Sequence, residues 1–496
     1  MVLRQRPPRN PLGNHSPAMN MDTSSPQPTL QRGLGFWQAT AINITQIVGA
    51  GVFATVPLIL GVMPGPQALL AWLVAGLLII CDSMIWGELG AAMPSAGGSY
   101  HYLLESFGRS KWGRLMSFLF VWQILISGPL EVGSGLVAAA QFSKAISPEF
   151  KAFDEANTIK LGTEVDGQFL GMILSPTRAF GLAMGVLILA LLYRRVDSLG
   201  KISLFFLAAV MTVIAWVLLE GLPRFKIDTF MAYSSSSNTP ESPPWSAGLG
   251  AGMGLAIYSY FGYYNVCYLG GEVRNPARTL PRSILCSAFA VVILFSLVHL
   301  AFTGVIPLDE IANNKDNLTA EFMTRLRGDW AGKVVTVLLV GSCFASCFSG
   351  TLGYSRVPYA AAREGNFLRW FDAVHPSHQI PHRSLLLIGG LVLFWSLFSL
   401  DMIISALVAT RIIEQFIAQI FAVILLRKQG GTIPWRMPLY PIPLLVALAG
   451  WLYVYAGTGL LFILLGLATL MVGLVVFLVW SATLGQWPFD KAEKAA

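Results

Sequence analysis

Apolar runs of about 20 residues recur along almost the whole chain, parted by shorter polar segments. As helices, such runs match the ~30 Å hydrocarbon thickness of a bilayer. The short alternating segments of a membrane β-barrel do not occur. The runs predict twelve spans, at about 35–60, 67–93, 113–143, 177–193, 200–221, 247–271, 281–306, 331–361, 384–399, 402–426, 438–457 and 459–481. The expected fold class is an all-α polytopic membrane protein.

Two of the runs are interrupted. QIVGAGVFATVP (46–57) sets Gly49 and Gly51 around Ala50 in mid-span, with Pro57 behind them. The sixth run reads GLAIYSYFGYYNVCYLGG, with Gly262 among aromatics. Glycine weakens a helix and admits dihedrals that other residues avoid. Interrupted segments at matching places in two halves are the pattern of an inverted-repeat transporter, with a site between the breaks. A half-helix that begins at a break presents unbonded N–H groups and a positive dipole end, which suit a carboxylate. The opposing end presents carbonyls, which suit an ammonium. Close helix packing is the other use of membrane glycines.

Composition sharpens this picture. The 496 residues are 55% hydrophobic and 12% charged, with mean hydropathy +0.62, which is too little charge to cover a soluble surface. A net charge of +7 would suggest nucleic acid in a soluble chain. Here Lys and Arg sort by loop instead. With the N-terminus inside, 21 of the 33 fall in cytoplasmic segments. The ten outer ones lie in the three longest outer loops, where charge affects orientation least. Arg356 and Arg411 lie within spans. Both termini are therefore expected in the cytoplasm, at a plasma or inner membrane, with the lipid bilayer as partner and no nucleic acid.

Residues 1–33, rich in Pro and Ser, are expected to form a disordered cytoplasmic tail, with 34–481 the membrane domain and 482–496 a short cytoplasmic C-terminal tail. The outer segment 144–177 is polar and has room for a short helix. All five cysteines lie in apolar segments and read as small buried residues, with no metal constellation around them.

Several stretches carry a family likeness: VGAGVF (48–53), GELGAAMPSAGGSYHYLLESFG (87–108), GGEVRNPARTLPRSI (270–284), SGTLGYSRVPYAAAREGNFLRWFDAVHP (349–376) and, more weakly, WRMPLYPIP (435–443). In this order they resemble the signatures of the amino acid–polyamine–organocation (APC) superfamily of transporters, nearest in pattern to its L-type amino acid and polyamine-uptake permeases. The resemblance covers roughly 34–480. It implies a five-plus-five inverted repeat, about 35–221 and 247–426, with accessory helices at about 438–481 and discontinuous first and sixth spans. It also implies alternating access around a midplane substrate site. By resemblance, the site takes the backbone of Ile47, Ala50, Gly51 and Val52, together with Tyr258, Phe261 and Gly262, Tyr258 standing where relatives place an aromatic gate. The family's usual Ser between the two glycines is Ala50 here, so its hydroxyl is missing.

Single polar residues add the candidate chemistry. Glu131, inside the third span, is an intramembrane carboxylate and thus a functional candidate. It is read as a carrier of a coupling proton or a partner for a cationic substrate group, with a structural network as the alternative. Arg411 and Glu414, three apart in the tenth span, are expected to pair with each other. Glu272 and Arg356, with Arg274 and Arg363, cluster near the cytoplasmic ends of the sixth and eighth spans and read as inner-gate charges. Glu88 is expected to be structural. Asn43, Thr45 and Gln46 either line the site or satisfy freed backbone groups. Relatives that place a lysine where sodium would sit do so in the fifth span. The matching position here is near Val210, so that device is not supported. Ser346 and Ser349 are the hydroxyls available to a sodium ion.

The sequence therefore reads as a secondary transporter of amino acids or related amines, not an enzyme. Proton-coupled uptake is preferred. Polyamine transport and amino acid exchange are the alternatives, and a transporter-like nutrient sensor is the rival class. No cofactor is expected beyond a coupling proton. Residues 144–177 hold no Cys, so no disulfide-linked partner subunit is expected.

Overall fold

The computed structural model describes residues 32–49, 51–165, 168–193, 199–232, 245–307, 310–311, 317–378 and 380–489. The interrupted first run becomes α1 (Phe36–Ile47) and α2 (Gly51–Val62), inclined at 41°. Then come α3 (Ala68–Ala92), α4 (Ser99–Ser106) and the long α5 (Trp112–Ser143). Residues 144–177 hold α6 (Pro148–Ala156) and a hairpin of β1 (Ile159–Val165) and β2 (Gln168–Leu174), with Ile159 opposite Leu174. The helix was expected and the hairpin was not. Its signal is local, since Asp166-Gly167 is a hairpin dipeptide between two strand-length runs.

The chain continues through α7 (Pro176–Leu192), α8 (Leu199–Gly221) and α9 (Ile227–Ala232). The second interrupted run gives α10 (Trp245–Tyr260) and the single turn α11 (Asn265–Tyr268). After α12 (Pro276–Thr303) and α13 (Leu318–Arg327), the eighth run splits into α14 (Asp329–Tyr354) and α15 (Arg356–Arg363). Then follow α16 (His382–Trp395) and α17 (Leu400–Arg411), which passes through a π-helical turn, Ile412–Ile417, into α18 (Ala418–Lys428). α19 (Ile442–Gly457) and α20 (Leu460–Leu484) close the chain.

Among the described residues, seven helical stretches are long and apolar enough to cross a membrane, and the bent α1–α2 pair makes an eighth. α7, α16 and α19 are apolar but shorter. The outward faces carry large apolar side chains: Phe205 and Leu219 on α8 and Val475 on α20 are exposed, as suits helices whose solvent is hydrocarbon. Cys286, expected to be buried, also lies on such an exposed face of α12, while the other four cysteines are buried.

Packing places the two breaks at the centre. α3 lies along α12, and α5 along α14. α1 is enclosed by α8, α12 and α14, and α10 by α2, α3 and α19. At one end, Leu34 bridges Val273, with the N–H groups of Gly33 and Leu34 donating to Glu272 O at 2.9 and 3.0 Å. At the other, the hairpin is stitched to the α16–α17 connection: Ile173 N donates to Leu397 O at 2.6 Å, and Ser399 Oγ to Phe169 O at 2.9 Å.

Candidate functional site

Two other helices press close on the break after α1. A Cβ on Gly49 would stand 2.5 Å from Ser346 Cβ on α14, and one on Gly51 would stand 3.2 Å from Ser259 O on α10. The approach thus requires glycine at 49 and leaves only a tight fit for a Cβ at 51. Ala50 lies outside the described residues. The N–H groups of Gly51, Val52 and Phe53 open α2 and have no intrahelical acceptors. Thr55, one turn on, shares a 2.6 Å hydrogen bond with Ser259 Oγ.

The second break answers the first. Gly262 has φ +112°, a conformation L side chains rarely adopt, and a Cβ there would overlap the stem of Gln46 and approach Ile47 N to 3.2 Å. Asn43 Oδ1 accepts from Val266 N at 2.9 Å, tying α1 to α11. Ser346 Oγ donates to Gln46 O at 2.7 Å and Ser349 Oγ to Ile42 O at 3.2 Å, so both hydroxyls serve carbonyls of α1. Ile47, Gly51, Val52, Tyr258, Phe261 and Gly262 are all buried around this junction.

Glu131 enters from α5, two residues after Pro129, and is 8% exposed. Its carboxylate is fully engaged. Gln46 Nε2 donates to Oε1 at 2.8 Å, Tyr354 hydroxyl donates to Oε2 at 2.6 Å, and Arg411 forms an ion pair with Oε2. Arg411 is 1% exposed. It also donates to Tyr264 hydroxyl at 2.6 Å, and its guanidinium lies 5.2 Å from the Phe261 ring centroid and 5.3 Å from that of Tyr354. Tyr258 hydroxyl donates to Ser134 Oγ at 2.8 Å, one turn beyond Glu131. The network therefore binds the third, sixth, eighth and tenth runs together around the breaks.

The expected Arg411–Glu414 pair does not form. The π-turn begins immediately after Arg411. Its i→i+5 bonding adds roughly one residue per turn, so residues three apart no longer share a face as they do in an α-helix. Arg411 turns to Glu131. Glu414 is buried and makes no hydrogen bond or ion pair among the described residues. The sequence offered one usable signal for the true pairing: Glu131 and Arg411 are opposite charges inside spans, and an intramembrane charge needs a partner.

The inner-gate candidates meet. Arg356 Nε lies 3.6 Å from Glu272 Oε1, with both side chains mostly buried. Arg274 instead donates to Gly33 O at 2.7 Å, and Arg363 to Tyr359 hydroxyl at 2.6 Å. Glu88 takes a two-pronged contact from Arg427 at 2.6 and 2.7 Å and also accepts from Met437 N at 2.7 Å. On the side of the breaks toward the hairpin lies a cavity of about 300 Å³, lined by Leu58, Leu255, Asp401, Ile404 and Val408 among others.

A family model described as amino acid permease matches residues 34–487. The chain is 27% identical over 460 residues to the serine/threonine exchanger SteT of Bacillus subtilis (strain 168), covering 89% of this chain and 96% of that one. It is 24% identical over 466 residues to the branched-chain amino acid permease BcaP of the same organism, covering 92% and 95%. It is 26% identical over 424 residues to cationic amino acid transporter 4 of Mus musculus, covering 84% of this chain and 62% of the relative.

Proposed function

Given that the chain belongs to the amino acid permease family of the APC superfamily, we propose that it carries α-amino acids across a membrane by alternating access, holding them between the two breaks. The substrate carboxylate is received by the N–H groups that open α2, and the ammonium by carbonyls at the ends of α1 and α10. Tyr258 and Phe261 close over the bound molecule, and the Glu272–Arg356 pair closes the inner side. Support for the repeat comes from packing. α3 against α12, α5 against α14 and α7 against α16 are the pairs a five-plus-five repeat makes equivalent, with α19 and α20 left as the accessory helices. Both tails are cytoplasmic in this reading.

One observation carries the choice of substrate class. Glu131, the acid nearest the breaks, is already paired with Arg411. The pair leaves no spare anion for the second ammonium of a diamine. An α-amino acid brings its own balance of charge and fits this neutral setting, in keeping with the amino acid exchanger and permease among its relatives. Uptake is coupled to protons in this reading.

Reconstitution tests it. Proteoliposomes are loaded and assayed with labelled serine, leucine, arginine and putrescine, with and without an inward proton gradient. Accumulation of at least one amino acid, raised by the gradient, is the expected result. Transport of putrescine alone would move the protein to polyamines. Amino acid binding without any uptake would make it a sensor, and gradient-independent counterflow would make it an exchanger.

A further inference from the structure

The geometry points to Glu414, not Glu131, as the carboxylate that binds the coupling proton, an inference that rests on the transport reading above. Glu414 is 2% exposed, in the middle of the tenth run, and no described donor reaches it. A carboxylate taken out of water without a hydrogen bond or counter-charge is so unfavourable that such a group neutralises instead. In this conformation, then, Glu414 holds a proton. Glu131 is the opposite case: Gln46, Tyr264 and Tyr354 donate to its carboxylate and the Arg411 guanidinium pairs with it, so every site on it is already taken.

The charged groups nearby are all committed elsewhere. On its own helix, Arg411 is paired with Glu131 and Arg427 with Glu88, while Lys428 stands at the exposed end of α18 and Asp401 at the far end of α17. On α5, which packs against the π-turn, the charges are Glu131 and Arg114, the latter 17 positions away along the helix, roughly 25 Å at 1.5 Å per residue. α19 also packs there and carries phenols, Tyr453 and Tyr455, but no charge. Asp82 on α3 accepts from Trp451 Nε1 of α19 at 3.0 Å and from Tyr263.

The backbone supplies the second half of the argument. Glu414 lies inside the π-turn Ile412–Ile417, a wide and less regular turn of the kind that recurs at functional positions. It is the element that separates Glu414 from Arg411. A helix able to slip between π and α bonding here would bring the two onto one face, and the proton would leave as the guanidinium approached. Release therefore couples to rearrangement of the tenth run, whose preceding turn holds the Glu131 network.

The test uses the full chain in lipid. Infrared difference spectra across a pH titration should show the C=O stretch of a protonated carboxylic acid near neutral pH in wild type, lost in Glu414→Gln and kept in Glu131→Gln. In proteoliposomes, Glu414→Gln mimics the protonated form. Gradient-driven accumulation should fall at least tenfold, to the level seen without a gradient, while counterflow persists. A wild-type spectrum without that band overturns the proposal, as does a Glu414→Gln protein whose uptake still rises with the gradient as in wild type. If wild type moves no amino acid at all, the transport reading fails, and the infrared arm alone decides whether Glu414 carries the proton.

Discussion

Glu131 and Arg411, 280 positions apart in sequence, form a buried ion pair beside the two helix breaks. Both side chains are largely buried, and each satisfies the other. Removing one leaves a bare charge in the interior, which costs about 3–5 kcal/mol, whereas neutralising both costs far less. Arg411→Gln should therefore lower the melting temperature sharply, and the double variant Arg411→Gln/Glu131→Gln should recover most of the loss. A double-mutant cycle in detergent reads this directly. Strictly additive losses would mean that the two side chains are not coupled.

Gly262 should tolerate no side chain. At φ +112°, alanine carries about 1–3 kcal/mol of backbone strain and drives its Cβ into Gln46, which in turn orients Glu131. Gly262→Ala should cut uptake at least tenfold. Gly51→Ala meets Ser259 O at 3.2 Å, a contact that small shifts relieve, and should be milder. Equal effects in the two variants would argue against the strain account.

The Glu272–Arg356 contact should hold the inner side shut. Glu272→Gln and Arg356→Gln should each raise labelling, from the cytoplasmic side, of a cysteine placed at Gly262's neighbour Tyr263. The charge-swapped double variant Glu272→Arg/Arg356→Glu should lower it again. Labelling that ignores all three changes would remove the pair from the gate.

Acid should loosen the segment that carries α6. Burial pushes the Asp154 carboxyl up, but the Thr177 N–H at 2.8 Å and Lys144 Nζ at 2.9 Å outweigh it and hold the group below its ordinary range. A carboxylate depressed on folding stabilises fully above its unfolded value of about 3.9, and the gain is lost as pH falls through the folded value. Asp154→Asn should thus melt below wild type at pH 7, and the gap should close below about pH 4. A gap that stays constant with pH would show that the charge is not what matters.

Much of this was legible in the sequence, because single runs carried it. Gly49, Gly51 and Gly262 announced both breaks, and the glycines proved to serve the close approach of α10 and α14 as well. Glu272 and Arg356 could be placed together because each lay at the same end of its run. The Arg411 pairing could not be read in this way. Helical periodicity assigns Arg411 the neighbour three residues on, and a single π-turn cancels that rule without leaving a pattern of hydrophobic positions to betray it. The hairpin is hidden for a different reason: its two strands are short and lie outside the long apolar runs, so only the dipeptide Asp166-Gly167 between them signals it in the sequence.

The neutrality of the Glu131–Arg411 pair has an electrical consequence. A membrane potential does work on moving charge, about 2.3 kcal/mol per elementary charge per 100 mV. A centre whose two charges cancel, empty or filled by a zwitterion, can turn from one face to the other without feeling that field. Glu414 is neutral while it holds a proton and an anion once it has released it, so in the proposed cycle voltage acts on the carrier that returns without the proton, and the net current during uptake counts the protons carried.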